Sequence, residues 1–371
     1  MINQDRLLQE FLELVQIDSE TKHEAEINQV LKDKLLSLGF TVEEDDAKAK
    51  TGFGANNLIA TLEGTAQGPT ILFSSHMDTV VPGKGVKPEV RDGYVYSDGT
   101  TILGADDKAG ISAIFEAIRT IKENNLPHPT IQVVFTIGEE SGLVGSRAMD
   151  SSLLKAELGF ILDSTGKVGE IITAGAGQYR IVTKIYGKAA HAGVNPEDGV
   201  SAITVASKAI SRMPLGRIDE DTTANIGRFE GGKSYNIVAD FVEVLSEARS
   251  LVMDKLEDQV KKMTAAFESA AADMGARCEN EVIFMYHGFK FDESQPVVQK
   301  AVAAIKRVNR EPKLEKSGGG SDGNIFNGFG IPTVNFGIGY EEIHTTNERM
   351  PIEELNKAAE LVVAIVAECL E

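Results

Sequence analysis

"ILFSSHMDTVVPG", residues 71–83, decides how this chain is read. Ile71, Leu72 and Phe73 form the short continuous apolar run expected of a strand buried on both faces. Two serines follow, then His76, Met77 and Asp78, and Pro82-Gly83 ends the element. Such a strand delivers an imidazole and a carboxylate to its carboxyl end. In open α/β sheets, sites form at that end.

Outward from this strand the chain alternates. Further strands are expected at 57–62, 131–137 and 159–162, with a helix from about Asp107 to Lys122 after a turn-rich segment. Asn3 is placed to cap a helix with Leu7, Leu8, Phe11 and Val15 on one face. A second helix carries Ile27, Val30, Leu31 and Leu35 and stops at Gly39. "IPTVNFGI" reads as a last strand before a final helix from Ile352. Buried strands alternating with helices predict an α/β domain: a mainly parallel sheet with helices on both faces.

The middle of the chain has a different rhythm. "QYRIVTKIYG" reads as a strand, 199–212 as a helix, "TTANIGRF" and "NIVADFVEVL" as strands, 252–274 as a helix and "RCENEVIFMY" as a strand. That is the β-α-β-β-α-β order of a ferredoxin-like α+β module. Residues 178–288 are therefore expected to form an inserted domain, with 1–177 and 289–371 making the α/β domain around it.

Composition narrows the function. At 371 residues the chain is long enough for two domains, and 42% apolar with 25% charged residues is ordinary for a globular protein. No apolar run approaches the roughly 20 residues of a membrane span. "MINQDRLLQE" has neither the basic start nor the apolar stretch of a secretory signal. The two cysteines, Cys278 and Cys369, lack metal-ligand spacing and suit a cytoplasmic setting. A formal net charge of −19 argues against nucleic acid as a partner, which needs clustered Lys and Arg.

Other strand ends repeat what His76 and Asp78 begin. "IQVVFTIGEESG" ends in Glu139-Glu140, "LGFILDS" in Asp163, and "GADDKAG" sets Asp106 and Asp107 at a helix start. "TVNFGIGYEEIHTTNE" places His344 just past the last strand. Singly, each has a plainer explanation: a capping Asp, a solvated Glu-Glu turn, a hydrogen-bonded His. Together, two imidazoles and four carboxylates on one sheet edge would repel strongly unless neutralised, and divalent cations are the simplest neutraliser.

The motifs "SSHMDTVVPG", "LGADDKAG", "TIGEESGLVGS", "GKAAHAGVNPEDGVSAI" and "GGGSDGNIFNGFGIPTVNFG" followed by "IHTTNE" resemble the two-metal peptidase family of peptidase T, carboxypeptidase G and the aminoacylases. The match runs over nearly the whole chain, and "ADDKAG" and "GKAAHAG" lean toward the peptidase T branch. The resemblance implies that Asp106 bridges two divalent metal ions, with His76 and Asp163 completing one site and His344 and Glu140 the other. It makes Asp78 the partner that orients His76, and Glu139 the general base. It also implies a cis peptide bond between Asp106 and Asp107, and substrate contacts from His191, Asn236 and Arg249. Arg249 reads equally well as half of a surface salt bridge. Ligands without thiolate suit Zn²⁺, with Co²⁺ or Mn²⁺ as alternatives. The resemblance makes the inserted domain a lid, and the expected activity is release of the N-terminal residue from short peptides, tripeptides first, by a dimer that pairs through that lid. A carboxypeptidase and an N-acyl amino acid amidohydrolase share the same motifs.

Two different classes compete with this reading. Gly319–Gly323 matches a Gly-x-Ser-x-Gly elbow, but His344 follows Ser321 by only 23 residues with no acid-bearing strand between. A non-catalytic metal or peptide binder would need the ligands but not the spare base Glu139. "AGAGQ" lacks the third glycine of a dinucleotide fingerprint.

Overall fold

Ile71–His76 is a strand buried along its whole length, with parallel neighbours on both sides, Ile131–Thr136 and Leu158–Ser164. Thr333–Gly337 pairs parallel beyond Leu158–Ser164. Antiparallel strands flank these four: Leu58–Leu62 and then Thr41–Glu44 on one side, Glu170–Gly175 on the other, with Lys313–Ser317 also pairing with Glu170–Gly175. This computed structural model describes residues 1–370. The sheet belongs to a unit made of residues 1–174 and the chain from Phe291 onward, while Gly175–Lys290 forms a second unit.

Side-chain alternation explains why the central strands read as unbroken apolar runs. Ile71, Phe73, Val133, Phe135 and Phe160 join the large core beneath Gln4–Val15, Ala105–Glu123, Pro296–Arg307 and Ile352–Glu368. Leu72, Val134 and Ile161 face the other way, with Ile59, Met149 and Phe326. Both faces are thus covered, and neither can be polar.

The helices follow their capping chemistry. Asn3 Oδ1 accepts the Arg6 N–H at 3.1 Å and starts Gln4–Val15. Arg6 then meets buried Glu116 at 2.7 Å, tying this helix to Ala105–Glu123. The latter carries the site at its amino end. Asp106 and Asp107 there have non-helical φ/ψ, and the bond between them is cis, as the resemblance implies. Gly110 lets the helix approach closely: a Cβ on it would lie 2.5 Å from Leu162 O and 2.7 Å from Ser75 Oγ.

The second unit is one antiparallel sheet in the order Gly216–Arg217, Thr222–Gly231, Phe241–Ser250, Gly177–Tyr186, Arg277–Tyr286. Helices Ala202–Arg212 and Met253–Asp273 share its core with Ile181, Ile185, Val242, Val244 and Phe267. Strict alternation of buried and half-buried residues along Phe241–Ser250 marks a sheet covered on one face. The ferredoxin-like order is present.

Two elements of the second unit differ in their bounds from the sequence reading. The apolar pattern of "NIVADFVEVL" predicts a strand over 236–245, but the strand is Phe241–Ser250. The loop before the first helix takes the hydrogen bonds of the preceding residues: Ala192 N donates to Asn236 O, Val238 N to Ala190 O and Gly187 N to Asp240 O. The helix expected from 199 starts at Ala202, where the Ser201 side chain caps it by accepting the Thr204 N–H. Among the described residues no helix is long and apolar enough to cross a membrane.

Candidate metal centre

His76 closes its strand 2% exposed. Its Nδ1 lies 2.9 Å from the main-chain O of Asp78. A carbonyl only accepts, so Nδ1 carries a proton, and Nε2 is the nitrogen that a metal ion would take in place of its own proton. That Nε2 faces Asp106 Oδ1 at 3.0 Å and Asp163 Oδ1 at 3.7 Å. The other oxygen of Asp106, Oδ2, is 3.3 Å from His344 Nε2, which also meets Glu140 Oε1 at 3.0 Å. Asp106 therefore stands between the two imidazoles, one oxygen toward each.

The strand register assembles these groups. His76 lies opposite Thr136, so the turn that follows Ile131–Thr136 emerges beside it. This turn carries Glu139 and Glu140, both half-buried. The ligand-type atoms of His76, Asp106 and Glu140 all lie within 4.8 Å of one another, and so do those of His76, Asp107 and Asp163. Asp107 is further engaged by Ser75 Oγ and by the Gly110 N–H at 3.3 Å.

Asp78 faces three ways. Its Oδ2 accepts the Thr21 hydroxyl at 2.6 Å, its Oδ1 accepts the Glu139 N–H at 2.9 Å, and Oδ1 is 3.5 Å from His76 Nδ1. Asp163 is held by Asn335, which pairs with both of its main-chain polar groups, and by Tyr340, whose hydroxyl donates to Oδ1 at 3.0 Å.

The electrostatics call for added positive charge. Burial pushes the carboxyls of Asp163, Glu139 and Asp107 well above the usual range, and Asp163 itself adds to the effect on the other two. Glu140 is raised by burial despite its bond to His344. Burial opposes ionisation of Asp106 as well, but hydrogen bonds from His344 and His76 outweigh it and hold this carboxyl low. Those bonds to Asp106 and Glu140 raise His344 to about 10. For His76, burial works against the charged form, yet Asp163, Asp106 and Asp78 raise it. Among the described residues, the only ion-pair partners of Asp106, Glu140 and Asp163 are these two histidines. Carboxylates this close ionise together only beside a cation. The imidazole and carboxylate donors fit divalent metal ions, and the residues present can hold them.

The remaining sequence-derived residues lie in the second unit. His191 bridges to Ile237, and its Nδ1 accepts the Gly193 N–H at 3.2 Å. Asn236 Oδ1 accepts the Ser234 hydroxyl at 2.8 Å, and its main-chain O accepts Ala192 N–H at 3.0 Å. These two residues are exposed neighbours. Arg249 sits on Phe241–Ser250 opposite Gln178, its Nε 3.1 Å from Glu247 Oε1.

Several residues of the first unit's site escaped the sequence reading. Asp322 accepts hydroxyls from Thr136 and Ser146, both at 2.5 Å, beneath the Glu139 turn. Glu348 is buried and takes backbone N–H groups from the Asp106 segment. Thr21, Asn335 and Tyr340 complete the support. Asp322 and Glu348 did carry a signal, as single carboxylates inside the glycine-rich and His344 motifs; the other three had none.

The chain is similar to known proteins over nearly its whole length. The uncharacterized protein YqjE of Bacillus subtilis (strain 168) is 63% identical over 99% of each chain. The crystal structure of aminopeptidase PepT from Bacillus cereus ATCC 10987 superposes with a TM-score of 0.95 at 60% identity, covering 99% of each chain. A tripeptidase structure from Staphylococcus aureus subsp. aureus Mu50 gives a TM-score of 0.95 at 51% identity, covering 99% of this chain and 98% of that one. A family model matches residues 72–368, and the chain belongs to peptidase family M20/M25/M40.

Proposed function

We propose that this protein is a metal-dependent aminotripeptidase that releases the N-terminal residue of short peptides. The observation that carries the proposal is Asp106, whose two oxygens face His76 and His344 separately. That is the arrangement expected of a carboxylate shared between two ions. His76 and Asp163 would hold one, His344 and Glu140 the other, with Zn²⁺ the first choice for an N/O donor set and Co²⁺ or Mn²⁺ as substitutes. When bound, such a pair polarises the scissile carbonyl and lowers the pKa of water.

The chain's own residues do the rest. Glu139 takes the proton of the attacking water and passes it to the nitrogen of the leaving amine as the C–N bond breaks. Its turn is held by Asp78, which accepts the Glu139 main-chain N–H. Asp78 also keeps His76 in the tautomer that leaves Nε2 free. In the second unit, His191 is the donor proposed for the oxyanion or the substrate. Asn236 and Arg249 are the groups proposed to grip the C-terminal carboxylate, for which a guanidinium fork is suited.

Support for the tripeptide substrate comes from the names of the two similar crystal structures, an aminopeptidase and a tripeptidase. A cytoplasmic setting and a homodimer formed through the second unit belong to the same proposal. The test is a panel of di-, tri- and N-acetylated peptides assayed with and without chelator. Release of the free N-terminal amino acid, from tripeptides most rapidly and only without chelator, is the expected result.

A further inference from the structure

We infer that Glu348 is a positioning residue for the metal site of His344 and Glu140. The inference rests on the two-metal reading above and goes beyond its ligand set. Glu348 is 1% exposed. One carboxylate oxygen accepts the N–H groups of Leu103 and Gly104, both at 2.8 Å, and the other accepts the N–H of Asp106 at 3.0 Å.

Among the described residues those three donors have no other acceptor. They precede or begin the helix Ala105–Glu123, where backbone N–H groups lack intrahelical acceptors. Gly104 is left-handed with φ of 77°, and Asp106 is itself non-helical. The segment that aims Asp106 therefore takes its shape from an acceptor supplied by another part of the chain. An ionised carboxylate makes the stronger kind of such bonds.

Glu348 also anchors the loop that presents His344. Glu341 and Arg349 close the loop through paired backbone bonds of 2.9 and 3.0 Å, reinforced by Arg349 Nε on Glu341 Oε2 at 2.6 Å. Between them His344 is left-handed, with φ of 62°, and its side chain is half-exposed. Glu348 N donates to Thr345 O at 3.1 Å, so the anchor sits one turn from the ligand. One buried carboxylate thus joins the His344 loop to the backbone of Asp106, the two groups that stand 3.3 Å apart across the proposed site.

The account predicts a selective effect on metal binding. Glu348→Gln keeps the volume but turns a donor toward backbone donors. Zn²⁺ alone is the probe, titrated into the metal-free protein against a chromophoric chelator, with bound zinc counted after dialysis. The wild type should hold two ions per chain. Glu348→Gln should keep one at wild-type affinity and bind the other ten- to hundredfold more weakly, the usual reach of residues that orient metal ligands. His344→Ala should show the same split, and the double variant should be no worse than His344→Ala alone. Glu354→Gln is the control: it removes another buried carboxylate, bonded to Val168 N and Arg310, and should leave both ions unchanged. Glu348→Asp, which keeps the charge, covers the case in which Glu348→Gln does not fold. Two unaltered sites in Glu348→Gln would overturn the inference. So would equal loss of both ions, in Glu348→Gln or in Glu348→Asp, since the effect would then run through Asp106, which serves both ions, and not through the His344 loop. A wild type that binds fewer than two ions would instead overturn the two-metal reading.

Discussion

The main-chain N–H of Glu139 donates to Asp78 Oδ1 at 2.9 Å. The proposed base and the residue that orients His76 are therefore one unit, although 61 residues separate them. The Thr21 hydroxyl completes it from a third segment by holding the other oxygen of Asp78.

Thr21→Val should loosen that unit without removing a ligand. Affinity for the ion at His76 and Asp163 should fall about ten- to hundredfold, with kcat reduced and KM little changed. Thr21→Ser, which keeps the hydroxyl, should restore both. Zinc titration and steady-state kinetics on the two variants test this, and an unaltered Thr21→Val would remove Thr21 from the account.

Glu139→Gln separates chemistry from metal binding. The variant should retain two ions and lose about two to four orders of magnitude in kcat, the usual worth of a general acid–base group. Zinc content measured beside turnover decides it. Loss of metal in parallel with activity would make Glu139 a ligand rather than the base.

Gly110→Ala probes the close approach of the site helix to the strand that carries His76. The new methyl would meet Leu162 O, Asp107 Oδ1 and Ser75 Oγ, all at 2.7 Å or less. Overpacking of this kind costs about 1–3 kcal/mol. A denaturant melt of the metal-free protein should show that loss, and an unshifted midpoint would contradict the described packing.

Arg249 offers a test of substrate length. If it grips the C-terminal carboxylate, amidating a tripeptide should raise KM or lower kcat sharply in the wild type, because an unpaired charge in a closed site is costly. Arg249→Ala should erase the difference. An amide effect that survives the substitution would remove Arg249 from the substrate contacts.

The parts of this site that were legible in the sequence share one property. His76, Glu139, Glu140, Asp163 and His344 each follow an apolar strand, so a local pattern places them on one edge. The supporting residues lack that pattern. Asp322 reaches Thr136 across 186 positions and Glu348 reaches Asp106 across 242, and only tertiary packing brings them together. The same distinction explains the misplaced strand at Asn236. Alternation predicts a strand there, but the loop at 187–192 takes the hydrogen bonds before the ladder can form. Central strands were easy for the converse reason: burial on both faces makes them mostly apolar, as in Ile71–Phe73 and Val133–Phe135.

The most direct test compares Ala-Ala-Ala with N-acetyl-Ala-Ala-Ala, each with zinc-loaded and with chelated protein. The account predicts that the loaded protein converts Ala-Ala-Ala to Ala and Ala-Ala, leaves the acetylated peptide nearly untouched, and loses activity on chelation until Zn²⁺ or Co²⁺ is returned. Full activity in the metal-free protein, or preference for the acetylated peptide, would contradict it.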